Sequence, residues 1–408
     1  MSFPSVSSLI VAFLMLFLDI IIFYIVKIVY KKKYIQIALI VHSAIFIVSF
    51  VAFRNKWIVF GDTFKTILGT LLITLYFCKP FIIFSYFVGS IMEFTQKIIR
   101  KIIKKPTFTP EQTNSRREFL AKTAIFTGAL PFGIMTYGMS MGAYDYRVIN
   151  QKLKIPNLPK KFNGMKIAQI SDLHVGSFWD NIAPKRGIEL LLQQKPDVIF
   201  VTGDLVNSET SEVKPHLKWL GQIKAELGVF SILGNHDYGD YKSWNSEDEK
   251  RQNLLDLYSV QKNLGWNLLV DNTRYITIEN EKIAIMGVGN WGSKSYFPKY
   301  GRLLETYEIT DKDAVKLLLT HDPTHFESQV IDYQDIAVSF SGHTHGMQVG
   351  LDFANFKWSP AQYIYNQWAG LYQKGTQQIY VNRGFGFSNV FPARLGILPE
   401  ITIFQLES

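Results

Sequence analysis

Cysteine is nearly missing from this chain. Cys78 stands alone among 408 residues, so no intramolecular disulfide can form, and that absence suits either side of a membrane. Three catalytic signatures are missing too: no His-Glu-x-x-His for a zinc protease, no Gly-x-Ser-x-Gly elbow, no Walker loop. One nucleotide-binding pattern does occur, Gly287-Val288-Gly289-Asn290-Trp291-Gly292, but no helical pattern opens after it. Ser293 to Gly301 carries Pro298 and several aromatics, so the helix terminus that would cradle a pyrophosphate is lacking. Basic excess is likewise missing from the later part of the chain. Residues 1–150 hold 17 Lys+Arg against 6 Asp+Glu, which leaves 26 against 28 for the rest. The net charge of +9 thus sits beside apolar segments, where the positive-inside rule puts it, and no basic soluble domain is offered to nucleic acid.

What is present is a chain with 48% hydrophobic residues and 31 Phe, a composition that joins a membrane part to a soluble part. Leu9 to Tyr30 is long enough to span and ends in Lys31-Lys32-Lys33; Tyr34 to Phe53 spans again before Arg54 and Lys56. Thr66 to Met92 is broken only by Lys79-Pro80 and reads as one long kinked span, with a re-entrant hairpin as the alternative. Asp19 and His42 lie inside the spans, where they mark an ion path or are satisfied by bundle neighbours. The basic run Lys97, Arg100, Lys101, Lys104 and Lys105 binds anionic lipid or anchors topology, and leads into a polar linker, Pro106 to Asn114.

Ser115-Arg116-Arg117-Glu118-Phe119-Leu120 precedes a fourth apolar stretch, Thr123 to Ala143, and resembles a twin-arginine export signal. It departs from that pattern by lying over a hundred residues into the chain and by placing Lys122 one position late, and the pair also serves as a positive-inside flank. Both readings put the chain beyond about Gly142 on the extracytoplasmic side of a cell membrane. The expected division is therefore membrane helices over 1–96, a basic cytoplasmic linker over 97–117, a fourth spanning or signal-like helix over 118–143 and a soluble domain over 150–408.

From Asn163 onward short apolar strands alternate with helical patterns, the grammar of an α/β domain. Strands are expected at Lys166 to Ile170, Asp197 to Val201, Val229 to Leu233, Ile283 to Val288, Val315 to Leu319 and Ile336 to Phe340, with helices over Lys185 to Gln194 and Asp248 to Asn263. Five strands are followed by chemistry: Asp172-Leu173-His174, Gly203-Asp204, Gly234-Asn235-His236-Asp237, Thr320-His321-Asp322 and Gly342-His343-Thr344-His345-Gly346. Loops just beyond the carboxyl ends of strands line the functional crevice of open α/β sheets. Five of the eight histidines fall in these loops with aspartates and an asparagine, a mixed O/N set that divalent metals take. Gly342 and Gly346 bracket the His-x-His pair and let the backbone leave the strand sharply. His216 and His325 fall outside the motifs and read as surface or helix residues.

This order of motifs resembles the calcineurin-like metallophosphoesterases over roughly Lys166 to Gly346. The ending Pro392-Ala393-Arg394-Leu395-Gly396 through Pro399-Glu400-Ile401 is similar to the membrane-associated branch of that family, which is related to the UDP-2,3-diacylglucosamine pyrophosphatases. Met347 departs from relatives that have a second Gly there. The resemblance implies a four-layer αββα sandwich and two divalent metals, Mn, Fe or Zn. Asp172, His174 and His345 would hold the first, Asn235, His321 and His343 the second, and Asp204 would bridge them, since two cations about 4 Å apart need a shared anion. The implied chemistry is attack by a metal-activated hydroxide on phosphorus, with no protein nucleophile. His236 would sit by the leaving group as a proton donor or charge neutraliser, oriented by Asp237.

The substrate class is a phosphoester or pyrophosphate, lipid-linked by preference. Trp291, Tyr296, Phe297, Tyr300, Phe353, Phe356, Trp358, Tyr363, Tyr365, Trp368 and Tyr372 flank the last metal motifs and either form an interface-seeking rim or pack an insert onto the sandwich. Arg383 and Arg394 are candidates for a phosphate clamp. UDP-2,3-diacylglucosamine pyrophosphatase activity in lipid A synthesis is the enzymatic alternative, although its substrate is cytoplasmic. A receptor or scaffold on the same fold is the second alternative, and no ligand position is lost to favour it. A transporter finds too few intramembrane ionisable groups. Oligomeric state is open.

Overall fold

The computed structural model describes residues 6–54, 62–106, 108–178, 180–295, 298–353, 356–388 and 391–408. The chain divides into two compact units, Met1–Tyr137 and Gly138–Ser408. Lys56, Tyr296 and Phe297, which entered the reading above, lie outside the described residues.

Four helices are long and apolar enough to cross a membrane: α1 (Val6–Val29), α2 (Lys33–Arg54), α3 (Asp62–Ile102) and α4 (Pro110–Ser140). α3 is one helix through Pro80, not a re-entrant hairpin. Its 41 residues rise about 60 Å, twice a bilayer's hydrocarbon, so its basic last turns run on past the apolar part. The stretch read as a linker is shorter than expected, because α4 starts at Pro110. The Thr109 backbone N–H donates to Gln112 Oε1 at 3.0 Å, and the Gln112 N–H donates to Thr109 Oγ1 at 3.2 Å. This reciprocal cap, with Pro at the first helical position, starts a helix inside a polar segment. Within the bundle Asp19 is satisfied: it pairs with Lys79 and accepts from Tyr76 Oη at 2.7 Å. For Asp19 the bundle therefore supplies polar neighbours.

The second unit carries the strands β1 (Arg147–Lys154), β2 (Lys166–Ile170), β3 (Val198–Thr202), β4 (Val229–Ile232), β5 (Asn267–Leu268), β6 (Asn272–Ile278), β7 (Glu281–Gly287), β8 (Val315–Leu319), β9 (Ile336–Ser341), β10 (Leu351–Phe353), β11 (Phe356–Trp358), β12 (Gly370–Lys374), β13 (Gln377–Val381) and β14 (Glu400–Glu407). Two mixed six-stranded sheets form, ordered β1-β14-β2-β3-β4-β5 and β12-β13-β9-β8-β7-β6, with β10-β11 as a separate hairpin. Alternation along the strands divides the core. Ile167, Val198 and Phe200 meet Ile285, Leu317 and Phe340 between the sheets, while Ala168, Ile199 and Val201 face outward onto Ile188, Leu191 and Leu257. Helices Ile182–Gln193 and Glu247–Asn263 supply those last three, and Phe326 with Leu303 covers the outer face of the other sheet. The four layers expected from the motifs are there.

β2, β8 and β9 fall within a residue of their expected bounds; β1 and β14 escape the pattern. β1 is an edge strand in which Leu153 alone is buried, so it lacks the apolar alternation that marks its neighbours. The Gly287 to Gly292 pattern opens no helix: among the described residues the next one starts at Leu303. His216 and His325 are helix residues but buried rather than at the surface. His325 lies between Thr320 Oγ1 and Gln329 Oε1, each at 2.8 Å, and burial lowers its pKa to about 4. It stays neutral in the fold while the unfolded chain protonates below about 6.5. Stability from this residue is therefore complete above pH 6.5 and lost as pH falls toward 4, by up to about 3 kcal/mol. Melting curves of the metal-stripped chain across that range should show a shallower acid slope in His325→Gln; an unchanged slope rejects the assignment.

Candidate metal centre

β2, β3 and β4 run parallel in one sheet and β8 and β9 run parallel in the other. Their carboxyl ends therefore release Asp172, His174, Asp204, Asn235, His321, His343 and His345 at one end of the sandwich. The two sheets are stitched there, since His321 Nδ1 meets Thr202 O at 2.7 Å and the His343 N–H donates to the Asp172 carboxylate at 3.0 Å. Gly342 is needed at this seam because a Cβ would overlap the Ser171 hydroxyl and the Asp172 carboxylate.

The seven candidate ligand residues converge. Asp172, His174 and His345 form one group of donor atoms; Asp204, His321 and His343 form another. In the first, His345 Nε2 is 3.1 Å from His174 Nε2 and 3.3 Å from Asp172 Oδ1. In the second, His321 Nε2 is 3.1 Å from Asp204 Oδ2, and Asn235 Oδ1 is 2.8 Å from His343 Nδ1. Asp204 Oδ2 stands between the groups, 3.6 Å from His174 Nε2. Nitrogen and carboxylate oxygen atoms crowded at these distances suit borderline divalent cations. His321 Nε2 is buried and faces Asp204 Oδ2 at 3.1 Å without hydrogen-bond alignment, a placement that fits a nitrogen and a carboxylate oxygen sharing a metal.

Electrostatics support the same fit. Burial lowers His174 to about 3, helped by His236, and pushes His345 well below the usual range, helped by His174 and Arg394. Both imidazoles keep a lone pair at neutral pH, as ligands must. Burial would lower His321 too, but the Asp204 and Asp172 carboxylates outweigh it and hold it near 10. Asp204 stays well below the usual carboxylate range despite burial, through His321 and His236. Burial raises Asp172 to about 6. In the unloaded site one imidazolium thus neutralises part of the carboxylate charge that a cation would take over.

Five of these residues hold left-handed backbone: Asp172 (φ 52°), His174 (44°), Asp204 (54°), His343 (73°) and His345 (48°). Such conformations cost on the order of 1–3 kcal/mol each and persist where the fold imposes them. Met347 at φ 49° occupies a position where glycine would be unstrained, which accounts for the residue type expected there by resemblance.

His236 is partly exposed, its ring 4.8 Å from that of His174, and its Nδ1 meets Asn207 O at 2.7 Å. Asp237 does not orient it, contrary to expectation. The Asp237 carboxylate is spent on the backbone N–H groups of Gly234, Asp204, Leu205 and Val206, at 2.9–3.2 Å, and so staples two site loops together. Asp237→Ala would leave four buried donors short of an acceptor. A loss of about 3 kcal/mol is expected, read as a lower melting temperature of the solubilised chain; an unchanged melting temperature would refute the staple.

Arg383 and Arg394 are not phosphate clamps either. Arg383 pairs with Glu400 and Asp352; Arg394 is fully buried, donating to Arg383 O and Gly384 O at 2.9 and 3.1 Å. Three further residues stand at the site without having been assigned a role there from sequence. Tyr241 accepts from Asn235 Nδ2 at 2.8 Å, which turns the Asn235 oxygen toward His343. Tyr365 Oη stands 3.1 Å and Asp322 Oδ2 3.6 Å from His343 Nε2. Asp322 stands in a motif beside His321 and Tyr365 in the aromatic set that flanks the motifs, whereas Tyr241 carried no signal. Of the aromatics, Tyr365 and Trp368 are buried, Tyr300 stacks on Tyr238 and Trp291 on His325, whereas Phe353, Phe356, Trp358 and Tyr363 are exposed.

Comparison with known proteins agrees with this geometry. Residues 165–347 match the calcineurin-like phosphoesterase family, and residues 5–143 match the family described as a probable calcineurin-like phosphoesterase transmembrane domain. The uncharacterized metallophosphoesterase YkuE of Bacillus subtilis is 32% identical over 304 residues, covering 72% of this chain and 98% of that one. The UDP-2,3-diacylglucosamine pyrophosphatase LpxG of Chlamydia trachomatis is 30% identical, covering 56% of this chain and 81% of that one. A Bos taurus transmembrane protein with a metallophosphoesterase domain is 28% identical, covering 66% of this chain but only 59% of its own length.

Proposed function

The chain belongs to the calcineurin-like phosphoesterases, and from that premise we propose a membrane-anchored, dinuclear phosphohydrolase that cleaves a phosphoester or pyrophosphate bond in a lipid-linked or envelope substrate. The observation that supports two metals is the position of Asp204, one carboxylate oxygen within 3.6 Å of a histidine from each donor group. Asp172, His174 and His345 would hold one ion and Asn235, His321 and His343 the other. When bound, the ions supply Lewis acidity at phosphorus and acidify a water toward neutral pH. The chain's own residues do the rest. Thr202 O fixes the His321 ring, Tyr241 fixes the Asn235 amide, and Asn207 O holds His236 so that Nε2 can give a proton to a leaving oxygen.

Two arguments bear on substrate and side. The likeness to LpxG favours pyrophosphate cleavage in a UDP-linked diacyl sugar as the alternative. The basic runs Lys31 to Lys33 and Lys97 to Lys105, with Arg116 and Arg117 entering α4, favour a catalytic unit outside the cytoplasm, where a surface phosphodiester would be met. The experiment is turnover by the full chain in detergent with added Mn, comparing an aryl phosphodiester, an aryl phosphomonoester and a UDP-linked diacyl sugar. Cleavage of the simple esters supports the broader reading; cleavage of the UDP-sugar alone supports the alternative and a cytoplasmic site. Two bound metals with no turnover of any of the three would move the chain to the non-catalytic reading.

A further inference from the structure

The β10-β11 hairpin stands off the protein, with all six of its strand residues exposed. Its register pairs Leu351 with Trp358, Asp352 with Lys357 and Phe353 with Phe356. Opposed residues of an antiparallel pair share a face, and the faces alternate along each strand. Asp352 and Lys357 therefore lie on one face, and Leu351, Phe353, Phe356 and Trp358 on the other. The polar face is the one tied to the protein: Asp352 receives the buried Arg383 at 2.5 Å, and Arg383 in turn pairs with Glu400 of β14. The apolar face looks outward, with Leu351 49%, Phe353 61%, Phe356 49% and Trp358 36% exposed. Met347, Tyr363 and Ile364, on the segments that lead into and out of the hairpin, are exposed as well. A two-stranded sheet in water normally turns such a face inward, since it has little else to stabilise it.

We propose that this face docks in the interfacial layer of the lipid bilayer. Three observations choose that occupant. The chain is a membrane protein, and only residues 141–146 separate α4 from β1. Six residues reach at most about 20 Å, a short tether between the end of α4 and the start of β1. The side chains are the interfacial kind: Trp and Tyr with Phe, Leu and Ile. The ion pair through Arg383 ties Asp352 of the hairpin to Glu400 of β14, which leaves the apolar face already presented outward. Docking does not depend on which phosphate is cleaved. It would bring the membrane surface to Met347, two residues beyond the candidate ligand His345, and to Tyr363, two before Tyr365.

The test uses the full chain with Cys78→Ser, labelled with a fluorophore at Phe356→Cys and held in nanodiscs of phosphatidylcholine and phosphatidylglycerol. Lipid carrying a shallow doxyl group should remove most of the emission, and aqueous iodide should remove little. Adding Phe353→Ser and Trp358→Ser should reverse both responses. Quenching by iodide but not by doxyl lipid would put the hairpin in water and overturn the proposal. Protection from both quenchers would assign the face to another protein copy. Doxyl quenching that appears only after a UDP-linked diacyl sugar is added would assign it to the substrate's acyl chains. Each of the last two outcomes also overturns bilayer docking, and none of the readings requires turnover.

Discussion

An Asp204→Asn chain should lose hydrolysis by about 10³-fold or more and bind fewer than two metals. The substitution keeps the shape and deletes one negative charge. Asp204 Oδ2 lies within 3.6 Å of a histidine from each donor group, whereas Asp172 Oδ1 reaches His345 at 3.3 Å but His321 only at 3.9 Å, so the Asp204 charge is the one that would let two cations share the site. Coulomb repulsion between divalent ions a few ångströms apart is large even at an effective dielectric near 20, and a neutral amide offers little against it. The rest of the site should survive. Asp204 Oδ1 accepts the His236 N–H at 2.8 Å, and an amide oxygen can accept it too. Metal content by mass spectrometry, paired with turnover of an aryl diester, makes the check. Two metals retained with activity within tenfold of the parent would remove Asp204 from the bridging role.

The reason this site was legible is that its candidate ligand residues sit in short loops right after strands whose apolar runs are unambiguous. β8 and β9, for example, were readable to within a residue, and the histidines after them follow at once. What stayed hidden depends on partners far along the chain. Arg383 looked like an anion clamp because nothing local announces Glu400 and Asp352, its partners in the fold. Asp237 looked like a partner for His236 because the two are adjacent, yet its carboxylate turns to the loop that begins at Gly203. The left-handed backbone at five candidate ligands is equally invisible, since Asp and His show no preference strong enough to predict it. β1 pairs with β14 across about 250 residues, and neither has the periodicity that would name its mate.

His236→Ala should lower kcat by about 10²–10⁴-fold while leaving both metals in place. The geometry separates this residue from the ligands beside it. His174, His321 and His345 are essentially inaccessible, whereas His236 is partly exposed and its Nδ1 is anchored on Asn207 O. Its Nε2 is then the atom free to face a substrate, with the Tyr241 ring 4.4 Å away shielding one side. His236 also lies within reach of His174 and Asp204 as a third donor, so metal content decides between acid and ligand. Leaving-group dependence decides between proton donation and simple charge neutralisation. If His236 donates a proton, the loss should be large for alkyl esters and small for nitrophenyl esters, whose leaving oxygen needs none. An equal loss across the series would make it an electrostatic stabiliser, and loss of a metal would make it a ligand.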